Sequence, residues 1–187
     1  MPKNLEVNDR HKIIASRLEE LVPPKSSRRQ RKLVIDVGCY KGRLGYLLRK
    51  MKYKTIGFDI SVKCVDECRR LGLNTFIKDI TKQPLKAWPK ADAVVCSELL
   101  EHLTEQGFHV AVRNLDSMLD SGGVLIITVP EKEEAIEKHS FHKRYVTSKM
   151  IKEAFPEYDL LEESLVYKNE GARLRNSANL MLVFKKQ

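Results

Sequence analysis

No stretch of this 187-residue chain approaches the roughly 20 consecutive apolar residues that a helix needs to cross a bilayer. Its first residues, Met1-Pro2-Lys3-Asn4, contain no apolar signal-peptide core, so a cytoplasmic location is expected. Cysteine is scarce: there are four, and no Cys-x-x-Cys pair. That argues against a structural zinc module, and reduced thiols are expected in such a compartment. There is one tryptophan, and no repeat or low-complexity tract. What remains is an ordinary globular composition, 42% apolar and 32% charged, long enough for one domain with a real core.

Acidic charge is in deficit. The chain has 34 basic against 25 acidic residues, a net charge of +9. Residues 1–32 account for nine basic and four acidic residues, or +5. Lys25, Arg28, Arg29, Arg31 and Lys32 cluster in a stretch that follows a predicted helix over 9–22. Such a stretch either attracts phosphate backbones or serves as a solvated linker. We therefore divide the chain into an N-terminal helix and basic linker over 1–32 and a larger domain over 33–187.

Within 33–187, apolar strands alternate with helical patterns. Strands are expected at 33–37, 55–58, 74–77, 91–96, 124–129, 160–167 and 180–185. Helices are expected at 42–51, 62–71, 103–119 and 147–155. On the first helix, Ile14, Leu18 and Leu21 should share the buried face. Alternation of this kind implies a parallel sheet covered by helices on both faces, with ligands bound beyond the carboxyl ends of the strands. Asp36, Asp59, Asp79 and Ser97 all stand at or just past strand ends. Trp88 reads as a packing anchor at the opposite end of the sheet.

The most telling segment is Val34-Ile35-Asp36-Val37-Gly38-Cys39-Tyr40-Lys41-Gly42-Arg43-Leu44. A strand stops at a carboxylate, two glycines follow, and a helix opens. The next strand ends on Asp59. Glycines permit close backbone approach, and a later carboxylate suits ribose hydroxyls. The Gly-x-Gly-x-x-Gly fingerprint of dinucleotide binders is absent. With Asp79-Ile80 and Asp92–Leu103 in order behind it, the segment resembles the first motif of class I S-adenosylmethionine-dependent methyltransferases. Tyr40 stands where that family has its middle glycine. The resemblance implies an α/β, doubly wound, mostly parallel seven-stranded sheet with an antiparallel last strand. It also implies S-adenosylmethionine as cofactor, held by Asp36, Gly38, Cys39, Gly42, Asp59, Ile60, Asp79, Ile80 and Ser97.

Glu98, Glu101 and His102 have the i, i+3, i+4 spacing of one helical face. With His142, or His139, from a later loop they form a candidate set for magnesium or manganese. The segment resembles the Glu-x-x-Glu-His of small-RNA 3′-terminal 2′-O-methyltransferases and of ubiquinone-pathway O-methyltransferases. The same residues can also serve without metal, His102 and His142 as catalytic bases. Lys138–Tyr145 is basic with interleaved aromatics, and Arg173 and Arg175 follow in a later loop, so an anionic substrate is expected. Three readings stand: methyl transfer to an O or N acceptor of a small molecule, methyl transfer to RNA, or a non-catalytic member of the fold, to which only Tyr40 points.

Overall fold

The computed structural model describes residues 7–82, 88–132, 141–167 and 178–187. Expectations resting on Lys138, His139, Ser140, Arg173 and Arg175 lie outside these residues.

The first central strand, β1 (Leu33–Val37), is rich in β-branched residues and buries four of its five. It pairs in parallel with β2 (Lys54–Asp59) on one side and β4 (Ala91–Ser97) on the other. Beyond β2 lies β3 (Thr75–Ile77); beyond β4 lies β5 (Leu119–Pro130), parallel to it. The sheet closes with β7 (Ala178–Lys186) and then β6 (Tyr158–Tyr167) at the edge, giving the order β3-β2-β1-β4-β5-β7-β6. β7 is antiparallel to both neighbours, so β6 again runs with the parallel set. Strand order reverses between β1 and β4, and a crevice opens there at the carboxyl ends.

Alternation along the strands divides the core between the two faces. Ile35, Val37, Val94, Cys96, Leu125 and Ile127 pack on one face, with α4 (Glu105–Ser117) and α5 (Ser148–Ala154). Val34, Ala93, Val95, Val124 and Ile126 pack on the other, with α1 (Asp9–Leu21) and α2 (Arg43–Lys50). The remaining helix, α3 (Val62–Arg70), lies along β2 and β3. Asn8 caps α1 by accepting from the His11 amide, while the His11 ring accepts from the Asn8 amide.

Four expectations need correction. Leu21 is 36% exposed; Ile14, Ala15, Leu18 and Val22 form the buried stripe of α1 and the turn after it. The helix predicted over 103–119 is shorter at both ends, Glu105–Ser117. A 3₁₀ turn covers Leu100–His102, Leu103 is extended, and Thr104 caps α4 by accepting from the Gly107 amide. Thr104 competes with the preceding turn for the backbone and wins. β5 begins at Leu119 rather than Val124, because Gly122, at φ 74°, lets the strand bend without leaving the sheet. Trp88 is a packing residue, as expected, but its ring lies 4.7 Å from Phe58 and 4.8 Å from Phe76, nearer the carboxyl half of β2 than the far end of the sheet.

Leu18 is fully buried and ties α1 to the sheet. Leu18→Ala should cost about 2–5 kcal/mol, the range for a truncated core leucine. The urea midpoint of unfolding reads this. A change within about 0.5 kcal/mol, the range of ordinary surface substitutions, would mean that α1 is dispensable to the core.

Candidate active site

Where β1 ends, the chain is tied to its neighbour. The Gly38 and Cys39 amides both donate to the Phe58 carbonyl oxygen of β2, at 2.8 and 2.9 Å. Three alternate residues then take positive φ: Gly38 at 78°, Tyr40 at 45° and Gly42 at 71°. Tyr40 thus adopts the left-handed conformation that its position demands, at a cost of order 1–3 kcal/mol for a non-glycine residue. Its amide donates to Asp59 Oδ2 at 2.8 Å, its carbonyl accepts from the Cys68 thiol at 3.1 Å, and its ring stands exposed. Gly42 serves internal packing more than ligand approach. A Cβ there would lie 2.5 Å from Leu73 Cδ1 and 2.8 Å from Cys68 Sγ.

Asp59 is held at both oxygens, by the Tyr40 amide and by the Ser61 amide at 2.8 Å. Each oxygen keeps a lone pair for a ligand hydroxyl. Asp36, 5% exposed, is pushed up to about 7 by burial and by the Asp59 charge. Both line a cavity of about 360 Å³ with Gly38, Cys39, Ser97 and Glu98. Gly42, Ile60, Asp79 and Ile80 do not line it. Asp79 Oδ1 is engaged by the Thr81 amide and hydroxyl, at 2.9 and 2.6 Å. Burial works against the ionised form of Asp79, but these bonds hold it below its ordinary value. Ile80 is a core side chain, and Ile60 is 65% exposed.

Glu98 corrects the shared-face expectation. It takes φ 55°, which breaks the helical phase between it and Glu101. Its carboxylate turns to Arg10 Nη1 at 3.1 Å and Asn179 Nδ2 at 2.5 Å, while Arg10 also donates to Asn179 Oδ1 at 3.0 Å. Burial pushes Glu98 up against the pull of Arg10. The proposed four-ligand set therefore loses Glu98.

Glu101, His102 and His142 do come together: one ligand atom from each lies within 4.8 Å of the others. Glu101 is fully buried, and among the described residues neither carboxylate oxygen has a hydrogen-bond partner. Burial and the nearby Glu98 push it up to about 8. Its backbone carbonyl accepts from the Lys143 amide at 2.8 Å, which draws the 141–145 segment over the turn. His102 Nδ1 donates to the Phe141 carbonyl at 3.1 Å, leaving Nε2 as the atom with a lone pair. The two imidazoles stand 4.7 Å apart, edge to face. Two ring nitrogens and an unpaired carboxylate suit a divalent transition metal better than magnesium.

Sequence reading missed the cavity wall from the N-terminal helix, formed by Asn8, Arg10 and His11, and the β7 residue Asn179. One signal existed for Arg10: it stands four residues before Ile14, on the face that becomes buried.

A family described as "Methyltransferase domain" matches residues 7–163. The chain belongs to this methyltransferase family. A curated relative, named tRNA (carboxymethyluridine(34)-5-O)-methyltransferase alkbh8 of Xenopus tropicalis, is 32% identical over 123 residues, 65% of this chain and 18% of the relative. The chain thus spans under a fifth of that protein's length. A SAM-dependent methyltransferase from Archaeoglobus fulgidus superposes with a TM-score of 0.69 at 19% identity, covering 94% of each chain. Magnesium protoporphyrin IX methyltransferase from Synechocystis PCC 6803 with bound SAH gives 0.75 at 17% identity, over 95% of this chain and 82% of that one. The doubly wound fold expected from the sequence, and the methyltransferase assignment with it, are borne out.

Asp36 generates a pH prediction. An acid raised from 3.8 to about 7 binds its proton more tightly folded than unfolded. Its stabilising contribution is full below its unfolded value and is lost as pH climbs through about 7. In ligand-free protein, Asp36→Asn should therefore flatten the fall of Tm between about pH 5 and 8. Parallel wild-type and variant curves over that range would remove the buried-acid assignment.

Proposed function

We propose that this domain transfers the methyl group of S-adenosylmethionine to an oxygen acceptor carried on RNA. The observation that carries the oxygen-acceptor reading is the Glu101–His102–His142 cluster at the rim of the cavity. The sulfonium donor is already activated, so the protein's task is to align the acceptor and lower its pKa. His102 Nε2 is the base in this reading. Glu101 and His142 hold it in place, or hold a divalent ion with it. Such an ion, when bound, polarises the acceptor oxygen.

The cofactor rests on Gly38, Cys39 and Ser97, with its ribose on the two free lone pairs of Asp59. Asp79 would lie beside the adenine. Tyr40 keeps the backbone shape that a glycine would give, which removes the motive for a non-catalytic reading. RNA as carrier is supported by the relative named as a tRNA methyltransferase and by the basic balance of the chain. Exposed Phe141 beside His102 offers a face on which a base stacks. A small-molecule O or N acceptor is the second reading, favoured by the shape likeness to magnesium protoporphyrin IX methyltransferase.

Two measurements test the site. Asp59→Ala should weaken S-adenosylhomocysteine binding by about 1.5–3 kcal/mol in calorimetry, because charge-assisted hydrogen bonds are lost. Unchanged affinity would move the ribose elsewhere. Manganese titration, followed by loss of the free-ion paramagnetic signal, should reveal one site that Glu101→Gln or His142→Ala abolishes. If wild-type protein leaves the manganese signal untouched, the cluster acts by acid–base chemistry alone.

A further inference from the structure

The amino ends of the strands face away from the methyl cavity, and a second concavity of about 560 Å³ opens there. Arg28 and Arg31 of the linker enter it from one side, Arg49 at the end of α2 and Lys54 at the start of β2 from the other. The folding of the linker brings these cations together. A 3₁₀ turn at Arg28–Gln30 folds it back, and the Lys54 amide donates to the Lys32 carbonyl at 2.9 Å. Sequence distance hides the cluster, since Arg28 and Lys54 are 26 positions apart.

The charges in this groove are not neutralised from within. Among the described residues no carboxylate lines it. Arg28, Arg31 and Lys54 make no ion pair among the described residues, and Arg31 Nε is shut from solvent without a hydrogen-bond partner. Arg49 Nη1 donates only to the Gly72 carbonyl, at 2.8 Å, which fixes its fork without cancelling its charge. The nearby Asp92 is already engaged by Lys32 at 2.6 Å and by the Leu33 amide at 2.8 Å. Four cations around one concavity attract successive phosphates.

We infer that this groove is a second nucleic-acid site, which grips the RNA backbone at a distance from the methylated residue. The inference rests on the RNA reading of the active site. A membrane surface is the competing polyanion. The groove disfavours it, because it is concave and, among the described residues, no exposed large apolar side chain lines it to insert between lipids. β1 and β2 separate groove from cavity by roughly 15–20 Å, at about 3.3 Å per residue. An RNA that reaches both must wrap the edge of the domain, so a mononucleotide gains nothing from the groove and a longer or folded RNA does.

The test uses the full chain and a fluorescent single-stranded RNA of about 20 nucleotides, a length that spans both sites. Arg31→Glu with Lys54→Glu should weaken binding at low salt at least tenfold. It should also reduce the salt slope by about 1.4, from about 0.7 per lost phosphate contact. The neutral pair R28Q/K54Q should give a smaller loss in the same direction, with thermal melts showing an intact fold. S-adenosylhomocysteine affinity should not change in any of these. R113E/K149E alters net charge equally on a different surface and should leave RNA binding within twofold of wild type. Equal loss in R113E/K149E, or no loss in R31E/K54E, overturns the groove. Absence of RNA binding by wild type at low salt, with S-adenosylhomocysteine still bound, also overturns it and moves the acceptor to a small molecule. Binding to phosphatidylserine vesicles but not to RNA overturns it in favour of a membrane surface. Loss of S-adenosylhomocysteine binding in the wild type would instead strike the methyltransferase reading itself.

Discussion

The site hangs on one carboxylate. Asp59 closes β2 and accepts from the amides of Tyr40 and Ser61, so a single side chain fixes the loop after β1 and the turn into α3. The loop needs that anchor because three of its residues sit at positive φ and one of them is tyrosine. Left-handed backbone at Tyr40 persists only where surrounding bonds over-determine it. Here the Phe58 carbonyl accepts from two amides, Asp59 accepts from a third, and the Tyr40 carbonyl accepts from the Cys68 thiol. Gly57 makes room for this: a Cβ on it would meet Cys39 Sγ at 2.9 Å. The ligand groove is therefore built before any ligand arrives.

Its electrostatics follow from the same crowding. Asp36 and Asp59 oppose each other, Glu98 and Glu101 oppose each other, and Arg10 is the cation that faces the second pair. Asp36 and Glu101 are driven up to about 7 and about 8. Asp36 and Asp59 side by side favour a positively charged group at that point of the wall, as a sulfonium or an ammonium group is, while Lys41 and Arg43 supply cations elsewhere on the lining. A positive group bound there would offset both causes of the rise at Asp36, burial first and the Asp59 charge second. The arrangement of Arg10 and Asn179 around Glu98 matters for the same reason. It neutralises one acid of the second pair and leaves Glu101 beside the two histidines.

Much of this was legible in the chain, and the reasons for the rest are physical. The strand ends Asp36, Asp59 and Ser97 were placed correctly because period-two burial and glycine punctuation are local signals. The turn at 98–104 was not. Spacing alone implies helical phase across Glu98, but Glu98 takes positive φ and its carboxylate turns to partners from α1 and β7 that lie 88 and 81 positions away in sequence. Ser121-Gly122-Gly123 reads as a loop in sequence, and only the pairing of Leu119 with Ala91 of β4, ahead of Val124 with Ala93, carries the strand through it. Leu21 was assigned inward by spacing alone. It gave way to Val22 because the helix ends there and the chain turns.

The polarity of a parallel sheet also explains why the two cationic neighbourhoods have different characters. At the carboxyl ends, Arg10 is consumed by Glu98, and the loops carry acids and imidazoles suited to chemistry. At the amino ends, strands begin with the basic residues of preceding helix ends and linker: Lys32 before β1, Arg49 before β2. Cations in the last turn of a helix are favoured by its dipole, and Arg49 and Lys50 of α2 and Arg69 and Arg70 of α3 all occupy such turns. A doubly wound fold therefore delivers basic helix ends to the side opposite its active site by default. What distinguishes this chain is the linker. By folding Arg28 and Arg31 onto Arg49 and Lys54, it turns scattered helix-end charges into one groove.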